Sequence, residues 1–133
     1  MYFPSCIDLA AVDRDGLTAL AEGRMTVPEV LELLGPPADR AAAGARQLDH
    51  WHPGWTESIT QPIRVASTDR CPLGQVYGSY DHAPAQLAER AWWQGFCPVT
   101  PGDGAELDGC WTVEVNRRQV AQLHTDVAQA ASA

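Results

Sequence analysis

The stretch from Thr68 to Tyr80, TDRCPLGQVYGSY, constrains the fold more than any other part of the chain. It holds a cysteine, a proline, two glycines four apart and two tyrosines. Ser67, Thr68 and Asp69 supply side-chain oxygens that can cap a helix start. Pro72 belongs in a first turn, where its missing N–H costs nothing. Leu73, Val76, Tyr77 and Tyr80 recur at i, i+3, i+4, i+7 and make one apolar face. Gly74 and Gly78 lie on another, and each costs about 1 kcal/mol against alanine in a helix interior. Close approach of a backbone or ring would offset that cost. The expectation is a short buried helix whose glycines face Trp55, Trp92 or the Ala41–Ala45 stripe. The functional alternative is a binding surface made of Cys71, Gly74, Gln75 and Gly78 with Trp55.

The flanking sequence reads as further short helices. Residues 1–12 read as an arm packed through its aromatics. Asp13 or Asp15 can cap a helix carrying Leu17 and Leu20, with Gly23 ending it. Thr26-Val27-Pro28-Glu29 is a capping box, followed by Val30, Leu31, Leu33 and Leu34 on the buried side. Gly35-Pro36-Pro37 stops that helix, so residues 13–35 are expected to form a helical hairpin.

Residues 38–51 predict a helix with a stripe of Ala41, Ala45 and Leu48. His50 to Trp55 (HWHPGW) turns the corner, with Trp51 and Trp55 covering the core. Ile63, Val65 and Ser67 alternate as a short extended segment, which Pro62 confines to an edge. A helix follows with Leu87, Ala88, Ala91 and Trp92, closed by Gly95. Asp103 and Glu106 read as the capping box of a last helix, with Leu107, Cys110, Trp111 and Val115 on one face. Arg117 and Arg118 are expected to be exposed.

The chain therefore predicts a mostly α, single compact domain of five or six short helices with at most one minor extended pair. Residues 1–124 form the globular part, with a 13–35 hairpin and a Trp-rich core region at 38–124. Residues 125–133, which lack anchoring apolar groups, are expected to fray. A length of 133 residues suits one domain.

Charge and motifs exclude several activities. The net charge is −8, with 17 acidic against nine basic residues, and every basic residue is arginine. That balance opposes a phosphate-backbone footprint. There is no apolar run of the ~20 residues a membrane span takes. The N-terminus lacks a signal-peptide pattern. A cytoplasmic protein with reduced cysteines is expected. No phosphate-cradling glycine loop is present. No two cysteines stand at the spacing of zinc ligands, and His50 and His52 point to different sides of a helix.

The residues assign no catalytic group, no cofactor and no metal. Two alternatives stay open: a thiol enzyme or redox protein using Cys71 near a helix N-terminus, and a zinc site built from Cys71, Cys97 and Cys110. The favoured expectation is a non-enzymatic protein that binds another protein, with no direct nucleic-acid or membrane contact.

Three segments, GARQLDHWHPGW, RCPLGQVYGSY and WWQGF, together resemble a family of small uncharacterised proteins of actinobacteria and their phages and prophages. The matching positions are Leu48, Asp49, Pro53, Gly54, Trp55, Cys71, Leu73, Gly74, Gln75, Tyr77, Gly78, Gly95 and Phe96. The resemblance covers roughly residues 44–118. It departs at Pro72, where a valine is usual, and at Cys97, where an acid often follows Gly-Phe. The arginine-only, alanine-rich composition fits a high-GC genome of that kind. The resemblance implies a setting, a phage or mobile-element accessory protein, and no mechanism; the protein partner expected from the residues would then be a host protein.

Overall fold

The computed structural model describes residues 22–23, 26–88 and 91–132. Most of them are helical, and none of the described residues forms a strand. The arm expected at residues 1–12 and the first helix expected in the 13–35 hairpin lie outside the described residues.

The helix α1, Val27–Leu34, starts as its sequence dictates. The Thr26 hydroxyl accepts the Glu29 N–H at 3.4 Å, and the Glu29 carboxylate accepts the Thr26 N–H at 3.1 Å. Val30 and Leu34 are buried and Leu31 packs beside them, whereas Leu33 points outward. Gly35 closes the helix at φ 86°, a conformation that suits glycine.

The helix α2, Pro37–Trp51, takes Pro37 in its first turn and buries Arg40, Ala41, Gly44, Ala45 and Leu48 along one face. The face is small for a reason. A Cβ placed on Gly44 would collide with the Gln94 carbonyl and lie 2.8 Å from the Trp111 ring. Small residues here let α2 settle on the last helix and on the segment before it.

After α2, Gly54 turns the chain at φ 80° into a 3₁₀ turn, Trp55–Ser58. Trp55 is buried, but Trp51 is 42% exposed and does not cover the core as expected. The alternating segment 63–67 buries Ile63 and Val65 without pairing as a strand. Its donors go elsewhere: Val65 N–H to the Asp108 carboxylate at 2.8 Å, and Arg64 N–H to the Arg70 carbonyl at 3.2 Å.

The helix α3, Pro72–Tyr77, is shorter than its apolar repeat suggests. Gly78 takes φ 88° and ends it, so Tyr80 falls in a separate 3₁₀ turn, Tyr80–His82. Tyr80 is buried all the same, while Val76 and Tyr77 are only partly covered. The expected caps Ser67, Thr68 and Asp69 give way to Cys71, whose sulfur accepts the Gly74 N–H at 3.2 Å. Gly74 does not face a ring or the alanine stripe. A Cβ there would strike the Thr68 carbonyl and lie 2.8 Å from Asp69 Cα, so the close approach is to the chain's own preceding turn.

The helix α4, Ala85–Ala88, is brief and leads, past residues that are not described, to the turns at 91–95. The helical spacing of Leu87, Ala88, Ala91 and Trp92 still reports burial, since all four are inside.

The last helix, α5, runs Pro101–Ser132, 32 residues, or about 48 Å. It begins earlier than the expected cap at Asp103: the Thr100 hydroxyl accepts the Asp103 N–H at 3.0 Å. It also continues through residues 125–132, where fraying was expected.

The core lies between α2 and the first half of α5. Trp111 stacks on Phe96 with centroids 5.4 Å apart, meets Trp55 edge-on at 5.9 Å, and donates its indole N–H to the Gly95 carbonyl at 2.7 Å. Gly95, at φ 67°, has the backbone of Arg40 and Ala41 against it. Beneath this sits a buried ion pair. Arg40 donates to both oxygens of Asp103, at 2.6 and 3.2 Å, and to the Trp92 carbonyl at 2.9 Å. Asp103 also accepts the Val99 N–H at 2.9 Å. One ion pair thus ties α2, the 92–99 segment and the start of α5.

Candidate functional site

The five residues singled out from the sequence are not gathered on one accessible surface. Cys71 and Gly74 are buried and serve the cap of α3. Gln75 spends its amide on the chain itself. Its oxygen accepts the N–H groups of Thr60 and Gln61 at 3.0 and 2.9 Å, and its nitrogen donates to the carbonyls of Gln61 and Arg70 at 3.0 and 2.9 Å. It stitches the 59–62 loop to the start of α3. Gly78 is exposed at a helix end. Trp55 is 1% exposed and its indole N–H goes to Asp49 at 2.9 Å.

The cysteines of the metal alternative are likewise dispersed in role. Cys71 and Cys97 are buried and Cys110 is half-buried. Burial, then the nearby Glu106 carboxylate, pushes the Cys110 thiol above its ordinary value. Among the described residues no three His, Cys, Asp or Glu side chains form a group that could hold a metal.

A polar cleft of about 280 Å³ lies where α5 leaves the body, lined among others by Asp49, Trp55, Glu57, Arg118, Gln122 and Thr125. Arg118 was expected to be exposed, yet it covers Trp55 with its guanidinium 5.7 Å from the ring centroid. It also grips Asp49 at 2.9 and 2.8 Å. The Arg118 hydrogen bond holds the Asp49 carboxyl below the usual range, aided by the Trp55 indole and opposed by partial burial. The same bond raises Arg118. These groups satisfy one another, and the cleft is small and polar beside ordinary ligand pockets of about 300–1,000 Å³ lined by apolar groups.

The surface that stands out was missed in the sequence. From Gln119 to Ala131 every residue of α5 is exposed. Val113, Val120, Leu123 and Val127 are exposed at 53, 51, 59 and 60%. At about 100° per residue, the buried face of Leu107, Trp111 and Val115 and the stripe of Val113, Val120, Leu123 and Val127 lie on nearly opposite sides of the helix. The side of the second half that continues the body-facing face carries Gln122 and Thr125, which border the polar cleft. The amphipathic phase of α5 therefore reverses as it leaves the body. A tail meant to fold back on this body would keep its apolar side on the body side.

The signal was legible as valines seven apart with Leu123 between them. It was hidden because the body-facing pattern ends at Val115 and overlaps the start of the stripe. Among the described residues no helix is long and apolar enough to cross a membrane. Comparison with models of protein families, with curated proteins and with solved structures found no match for the chain.

Proposed function

We propose that this protein works by binding another protein helix along the stripe Val113–Val120–Leu123–Val127 of α5, without catalytic chemistry of its own. The observation that carries the reading is the reversed amphipathic phase of α5, which leaves four large aliphatic side chains at least half exposed on the side away from the body. A helix of about 12–15 residues is marginal in water without packing, and full burial of each Val or Leu contributes about 1.5–3 kcal/mol. A partner helix laid along the stripe supplies both. Recognition of an amphipathic helix through i, i+3, i+4, i+7 anchors is a common binding mode.

The resemblance noted above implies a phage or mobile-element accessory protein, and the partner expected from the sequence is a host protein in the bacterial cytoplasm. The thiol alternative has little geometric support: Cys71 is fully buried and its sulfur accepts a backbone N–H. Affinity capture from host lysate tests the reading, with Leu123→Glu compared against the native chain. Loss of the captured partner with an unchanged melting temperature is the expected result. Equal capture by both proteins sinks it.

A further inference from the structure

We infer that the stripe on α5 is occupied by α5 of a second copy of this chain, paired parallel and in register as a short two-stranded coiled coil. The inference rests on the stripe being a docking surface and names what docks there. The positions repeat as a heptad: Val113, Val120 and Val127 at one core position, and Asn116, Leu123 and Ala130 at the other. Valine at the first position with leucine at the second favours two parallel strands, and Val120 and Leu123 form that pair at the middle of the seam, flanked by Asn116 and Ala130.

Asn116 decides the direction. It lies exposed in the line of the seam. In a parallel pair Asn116 meets the Asn116 of the second copy, and the amides hydrogen-bond to each other. In the antiparallel pair that keeps the same core, Asn116 would face Val127, and a buried amide would lose its partner.

Charge points to the same occupant. From Gln119 to Ser132 the helix carries Asp126 as its single formally charged side chain, while the whole chain stands at −8. The flanking positions of a parallel pair bring Thr112 to Arg117, Gln119 to His124 and Asp126 to Ala131, so no like charges meet. An acidic or basic partner would find only Arg117 and Asp126 beside the seam to pair with. Because the stripe lies on the side of α5 away from the body, two copies can join along it with their acidic bodies on the outer flanks. The bodies repel one another, and salt screens that repulsion over about 8 Å at physiological strength.

The seam from Val113 to Ala130 is shorter than the roughly three to four heptads of a stable coiled coil. Association is therefore weak and concentration-dependent. Sedimentation equilibrium of the full chain across a wide concentration range should show the mass rise from one chain toward two, and rise further with added salt. Leu123→Glu should weaken the association about tenfold or more. Val120→Cys, placed on the seam, should give a disulfide dimer under mild oxidant well beyond that of the native chain.

A monomer at every concentration overturns the inference, and so does association that weakens with salt. Cross-linking that needs Val120→Cys mixed with Leu123→Cys overturns the parallel register. If the chain is monomeric but lysate capture still depends on Leu123, only the choice of occupant fails. If capture is also indifferent to Leu123, the docking surface itself fails.

Discussion

The two halves of α5 are one continuous helix held in opposite ways. In the first half, Leu107 and Trp111 are wholly buried, Asp103 is locked to Arg40, and Glu114 is 5% exposed beside Arg117 and Arg118. In the second half, from Gln119 onward, no described side chain up to Ala131 is buried, and the hydrogen bonds are local, such as Gln122 to Asp126 at 2.8 Å. The first half is a helix because it packs. The second is rich in alanine and glutamine, which favour helix intrinsically, and it continues a helix already nucleated by the body, which removes the costly first turn. A single helix can thus be core at one end and surface at the other.

The largest effect should come from breaking the first half. Asp103→Ala leaves the Arg40 guanidinium buried without its partner, and such a loss costs about 3–5 kcal/mol. Urea unfolding should show a midpoint lowered accordingly. A cost under about 1 kcal/mol would mean that the pair contributes little beyond what an exposed one does.

Next is Gly44→Ala. Its methyl would meet the Gln94 carbonyl and the Trp111 ring, and overpacking of this kind costs about 1–3 kcal/mol. Gly74→Ala should behave alike, because Thr68 and Asp69 backbone atoms occupy the space. Gly78→Ala should also destabilise, for a different reason: nothing crowds the site more closely than His82 at 4.0 Å, but φ 88° disfavours any L side chain, by about 1–2 kcal/mol. A rise in melting temperature for any of the three would contradict this account.

At the junction of the two halves the effect is smaller and depends on pH. The Asp49 carboxyl is depressed in the folded protein, first by its Arg118 hydrogen bond. Its contribution is therefore present above the ordinary carboxylate pKa and is lost as pH falls through the lower folded value. Asp49→Asn should flatten the acid side of the stability profile and cost about 0.2–1 kcal/mol at neutral pH, because the half-exposed pair is screened by solvent. Asp108 acts with the opposite sign: burial raises it against the Val65 N–H and Arg64, so its contribution is lost as pH rises through the raised folded value. Thermal melts as a function of pH on Asp49→Asn and Asp108→Asn should slope in opposite senses relative to the native chain.

The smallest effect on stability belongs to the second half. Leu123→Glu should shift folding free energy by less than about 0.5 kcal/mol, while removing partner capture. A large loss of stability in a dilute sample would show that the stripe is covered within the chain.

Local chemistry in the sequence determined where α1 begins and which side chains form most of the core. Thr26 and Glu29 cap α1 because those two side chains need only their own backbone. Leu48, Trp55, Leu73, Leu87, Trp92, Leu107 and Trp111 were all expected inside and are buried. Apolar periodicity reports burial even where the helix itself breaks, as at Tyr80. Tertiary structure alone decided the rest. It paired Arg40 with Asp103 across 63 positions of sequence, gave the Val65 N–H to Asp108 in place of a strand, and set Gly44 against Trp111. It also settled that α5 outruns the body, so that a row of aliphatic side chains stands exposed. No local rule contains that outcome. A side chain's exposure depends on how far the neighbouring elements reach, and that length is set by the packing of α2 and the 92–99 segment against the first half of α5.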